Sequence, residues 1–161
     1  MSGSTSWTDR VIRNTGVVVP HIAKNDIFTY NIQFPHSKKL AEAIADFHLH
    51  IVPISLPVAG NIIAIDHSWQ FVKFGDVIGV TLTGGSNTAT FKLVAADQYK
   101  HKYFEVIADM AVGAETYSSF LLVKCQRRND GQDTYAGEFA LLGGDCHYLV
   151  DRLGSQFETN D

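Results

Sequence analysis

The chain has 161 residues, 45% hydrophobic and 19% charged, which fits one domain with a real core and excludes intrinsic disorder. A net charge of -4 argues against a domain held to nucleic acid mainly through phosphate contacts, and two cysteines are too few for a disulfide-stapled scaffold. The opening MSGSTSWTDR lacks signal-peptide order, and the apolar stretch 51–65, broken by Pro53, Pro57, Gly60 and Asn61, falls short of the roughly 20 residues that span a bilayer, so a soluble, intracellular or particle-borne domain is expected.

Residues 1–25 read as an N-terminal arm, polar and flexible over 1–10, with Val17, Val18, Val19 and Pro20 forming an extended segment or an edge strand. Residues 26–34 then alternate: Phe28, Tyr30, Ile32 and Phe34 share one face, and Thr29, Asn31 and Gln33 share the other. The next segment predicts one short helix, with Ser37 as N-cap and Leu40, Ala41, Ile44 and Phe47 at helical spacing. An extended segment over 48–58 follows, limited by Pro53 and Pro57. Further strands are predicted at 62–65, ended by Asp66-His67-Ser68, and at 77–82, ended by Gly84-Gly85-Ser86-Asn87. The remaining strands fall at 88–95, 103–107, 119–126 and 135–142, the last stopped by Gly143-Gly144. Residues 26–150 thus form the domain and 151–161 a polar C-terminal tail. About eight strands with no βαβ alternation predict an all-β, antiparallel sandwich with one short helix between the first two strands.

The chemistry-bearing residues are weighed against ordinary structural roles. His48 and His50 flank Leu49, so a strand turns both to one face, as a metal site would need. This HxH pair resembles that of cupin metal sites, but residues 51–60 contain no carboxylate for the glutamate that pattern requires. Cys146-His147 has no second pair at finger spacing. No G-x-S-x-G elbow, catalytic cysteine signature or phosphate-binding loop is present. No catalytic residue, metal ligand or cofactor is therefore assigned, and the chain is not expected to be an enzyme. Lys124, Arg127 and Arg128 form the local basic cluster and, with Arg10 and Arg13 of the arm, are the candidate RNA contacts. Trp69 and Phe71, with Val17, Val18 and Val19, are candidate subunit contacts.

The order of elements carries a resemblance. A polar arm, the strand IFTYNIQF, the segment KLAEAIADF, the strand FHLHIVPISLPV and the turn and strand AGNIIAID look like the first half of a viral jelly roll. GDVIGVTL, SSFLLVKC and TYAGEFALLG resemble later strands of that fold. Over residues 26–145 the chain is similar to coat proteins of small icosahedral positive-strand RNA viruses, tymovirus-like coats nearest. The resemblance implies an eight-stranded jelly roll that assembles with many copies of itself into a shell, in the virion and in the host cytoplasm during assembly. It implies genomic RNA as a partner, weakly bound by side-chain charge, and no membrane. Two further readings are a carbohydrate-binding module stacking sugars on Trp69 and Tyr99, and a cupin-like metalloenzyme using His48 and His50.

Overall fold

Side chains that alternate between apolar and polar must place one set on each face of a sheet, and two such sheets can bury their apolar faces together. The computed structural model describes residues 7–34, 44–73, 75–79, 81–111 and 119–148. Nine strands run through these residues: β1 (Thr8–Val11), β2 (Val18–Ile22), β3 (Ile27–Phe34), β4 (Ile44–Pro53), β5 (Ile62–Val72), β6 (Gly85–Lys92), β7 (Lys102–Ala111), β8 (Ser119–Arg127) and β9 (Phe139–Tyr148). One 3-10 turn, Ala95–Asp97, precedes β7. Among the described residues, no helix is long and apolar enough to cross a membrane.

The strands form two antiparallel sheets, ordered β1-β2-β9-β4-β7 and β3-β8-β5-β6. Phe47, Leu49 and Ile51 of β4 and Phe139 of β9 are fully buried against Ile63 and Ile65 of β5 and Leu121 and Cys125 of β8. The protein is therefore an all-β sandwich whose core lies between the sheets. β3 keeps the expected faces, with Phe28 and Phe34 buried and Thr29, Asn31 and Gln33 exposed.

Several expectations are corrected. Ile44 and Phe47, expected in the helix, lie in β4, where Phe47 pairs with Ile107 on one side and Cys146 on the other. Leu40 and Ala41 lie outside the described residues, as does the tail 151–161. A fully buried Phe47 between two hydrogen-bonded neighbours outweighs a weak helical spacing. Asp66-His67-Ser68 does not end β5, because β6 and β8 pair with those residues on both sides. The segment 77–79 is not a strand, and Val77 and Ile78 there are exposed. β2 is not an edge strand, since β1 and β9 flank it.

Of the glycines expected to end strands, Gly84, Gly85 and Gly144 lie in or beside strands where rings occupy the space a side chain would take. At Gly144 in β9, a Cβ would come within 2.8 Å of Phe47 Cζ and 3.1 Å of Tyr30 Cε1. At Gly85, it would come within 2.8 Å of Trp69 Nε1, and Gly84 is closer still to the same ring. Gly84 N–H also donates to the Trp69 carbonyl at 2.8 Å.

Arg127 closes one end of the core. It is fully buried, in phase with Leu121, Val123 and Cys125 on the inner face of β8. Its Nε and Nη2 donate to the two oxygens of buried Asp133 at 2.8 and 3.1 Å. Nη1 donates to the carbonyls of Ile22 and Gly137 at 3.1 and 2.7 Å, and Nη2 to that of Tyr135 at 2.5 Å. Asp133 also accepts from the Ala64 N–H at 3.2 Å.

Two stability measurements check this packing. Gly144→Ala is expected to lose about 1–3 kcal/mol in urea unfolding through overpacking. Gly143→Ala, where a Cβ meets nothing within 4 Å, is expected to stay within about 0.5 kcal/mol. Arg127→Met is expected to lose about 3–5 kcal/mol, because it strands the Asp133 carboxylate in the core; an unchanged urea midpoint would refute that role.

Candidate functional site

The outer face of the five-stranded sheet concentrates the titratable side chains. Because Phe47, Leu49 and Ile51 point into the core, His48 and His50 must point outward from β4. On one side of β4, the register sets His48 opposite Glu105 and His50 opposite Tyr103 of β7. On the other, it sets His48 opposite Asp145 and Asp46 opposite His147 of β9. His101, just before β7, completes the group.

Asp145 is its centre. One of its carboxylate oxygens lies 3.3 Å from His147 Nε2 and 3.3 Å from His50 Nε2, and the other lies 3.9 Å from His48 Nδ1. The latter oxygen is buried and has no hydrogen-bond partner among the described residues. His48 Nε2 lies 3.6 Å from Glu105 Oε2, and the His48 and His147 rings meet edge to face at 4.4 Å. His50 Nδ1 and His101 Nε2 are 2.8 Å apart, so one ring donates and the other accepts. The His48 side chain is 10% exposed, whereas those of Asp145 and His147 are 44% and 63% exposed. His48, Asp145 and His147 each offer a donor atom within 4.8 Å of the others, the one such group of three or more histidines, cysteines or acids among the described residues. Cys146, between Asp145 and His147, packs toward the core instead. Burial, helped by Asp145 and Asp46, pushes its thiol up to about 12, leaving it protonated.

The structure does not gather the candidate RNA contacts. Arg127 is buried, with its guanidinium committed to Asp133 and three carbonyls. Arg128 donates to Asp66 at 2.9 Å and to Asp130, whose carboxyl its hydrogen bonds lower to about 2. Arg10 pairs with Glu138 at 2.7 Å, and the Arg13 guanidinium sits 4.1 Å from the centre of the Tyr99 ring. Lys124 is exposed on the outer face of β8, in the opposite sheet from Arg10.

The candidate subunit contacts divide. Trp69 and Phe71 pack against the core, with Gly84 and Gly85 against the Trp69 ring. Val17 and Val18 are exposed on the β1–β2 hairpin, and Val19 is half-buried.

An open cleft of about 390 Å³ lies between β5–β6 and β7, lined by His67, Trp69, Asn87 and Glu105 among others. Burial pushes His67 below its ordinary value despite the opposing Asp66 carboxylate, and its Nδ1 has no hydrogen-bond partner among the described residues. The paired histidines and their carboxylates were only half visible in the sequence. The HxH spacing marked His48 and His50, but nothing local ties them to Asp145 or His147 across the sheet.

No protein-family model matches the chain, and no curated protein matches it.

His67 gives a testable pH dependence. With its folded value depressed, it stays neutral in the fold, whereas the unfolded chain takes up the proton near about pH 6.5. Its contribution is therefore full above that value and is lost as pH falls through the lower folded one. Urea midpoints taken at about pH 7.5 and about pH 5 are expected to drop more in the wild type than in His67→Gln, and equal drops would remove His67 as the cause.

Proposed function

We propose that the sandwich is a jelly roll and that the chain is a coat subunit of a small icosahedral RNA virus, assembling with copies of itself into the shell of the virion. One observation carries the reading. With β1 set aside, the order β2-β9-β4-β7 faces β3-β8-β5-β6, the arrangement produced by two Greek keys wound into one sandwich. The edge hairpin adds support. Val11, Val17 and Val18 are 44%, 54% and 58% exposed there, and β1 has no partner on its outer side among the described residues. Apolar side chains beside an unpaired edge suit contact with another copy.

The other readings fit less well. A cupin-like centre would need its histidines inside the sandwich, but His48 and His50 point out of it and core side chains fill the interior. A sugar-stacking module needs free ring faces, whereas Gly84 and Gly85 lie against Trp69 and Arg13 lies over Tyr99. RNA inside such a shell would meet few free cations, since Arg10, Arg127 and Arg128 all have carboxylate partners. Histidine protonation or bound cations would supply the remaining neutralisation.

Sedimentation and negative-stain microscopy of the protein, across pH and ionic strength, test the reading. Closed particles containing nuclease-protected RNA are expected. The double variant Val17→Asp, Val18→Asp is expected to keep its unfolding midpoint yet remain in small species. A wild type that stays monomeric under every condition sinks the shell.

A further inference from the structure

We propose that His48, Asp145 and His147 bind one divalent transition-metal ion of the zinc class on the outer face of the five-stranded sheet. The donor set is two imidazoles and a carboxylate, which suits zinc, cobalt or nickel, whereas calcium and magnesium prefer oxygen alone.

The geometry is close to that of a bound site. Zinc–nitrogen and zinc–oxygen bonds of about 2.0–2.2 Å place neighbouring tetrahedral ligands roughly 3.4 Å apart. His147 Nε2 and Asp145 Oδ2 are already 3.3 Å apart, and His48 Nδ1 is 3.9 Å from Asp145 Oδ1. The three donors all lie within 4.8 Å of one another, so side-chain rotation closes the set without moving a strand.

Two further observations point to a ligand. His48 is nine-tenths buried, and its nearest carboxylate oxygens lie at 3.6 and 3.9 Å, beyond hydrogen-bond distance. The inner oxygen of Asp145 is buried and unpartnered. An imidazole beside an unpaired carboxylate oxygen is what a cation placed between them would satisfy. Glu105 faces Nε2 of His48, which leaves Nδ1 turned toward Asp145 as the donating nitrogen. Three protein ligands leave the fourth position open to water. The site takes no sulfur, because the Cys146 side chain is directed inward against the core.

The test uses untagged full-length protein stripped with chelator and then dialysed against zinc chloride or cobalt chloride. One equivalent of metal per chain is expected, with a visible cobalt spectrum of tetrahedral form and no thiolate charge-transfer band. His147→Ala and Asp145→Asn, both at half-exposed or exposed side chains, are expected to weaken zinc binding more than about tenfold. His101→Ala is expected to bind as the wild type does. No stoichiometric zinc, a thiolate band, loss of binding in His101→Ala, or equal competition by magnesium or calcium would each overturn the assignment.

Discussion

The Arg127–Asp133 pair is the constraint on which the rest of the sandwich depends. Its five donated hydrogen bonds reach β2 at Ile22, the β8–β9 connection at Asp133, Tyr135 and Gly137, and through Asp133 the start of β5 at Ala64. Two sheets and the loop between β8 and β9 therefore share one charged group. A buried ion pair is seldom a large net source of stability, because removing both charges from water offsets most of their attraction. Its value here is selectivity: a shifted β8 would bury a guanidinium with no partner. Lys24 adds to the arrangement, donating to the Asp133 carbonyl at 2.6 Å. Tyr135 completes it, its hydroxyl accepting from Ser55 N–H at 3.0 Å while its ring lies beside the guanidinium.

Much of the fold was legible from period-two alternation, and the misreadings have definite physical causes. β3 and β8 were visible because each buries alternate side chains against one core. The helix over Leu40, Ala41, Ile44 and Phe47 fails at its second half because a central strand buries apolar residues on both phases near bulges, blurring its alternation. β4 carries such irregularities beside Phe47. The glycine pairs misled for a different reason. Glycine signals either a turn or a place where another group comes close, and only the rings of Trp69, Phe47 and Tyr30 decide between them. Arg127 was a basic residue at a strand end, yet it falls in phase with Leu121, Val123 and Cys125. That phase is present in the sequence, and burial follows the phase rather than the charge.

The histidine face was legible only in part, since its members come from three strands. HLH spacing places His48 and His50 together, but Asp145 and His147 join them through the β4–β9 register, which no local pattern encodes. What the sequence did contain was the matching period on β9, where Asp145 and His147 are also two residues apart. Two such pairs on adjacent strands become a cluster only when the register is known.

That register is itself a product of inner-face packing. Gly144 lies between Asp145 and Gly143 on β9, and its missing side chain admits the rings of Phe47 and Tyr30. Phe47 is the residue before His48, and Gly144 the residue before Asp145. The contact that fits an aromatic ring over a glycine on the inside therefore sets the separation of imidazole and carboxylate on the outside. β4 is also held on both sides, by β7 and β9, so its outward histidines project from a strand with paired neighbours rather than from a loop. Side chains supported in this way keep their spacing through thermal motion, which is the property that a ligand set needs. The apolar packing of the core and the polar geometry of the face are thus two consequences of one strand pairing.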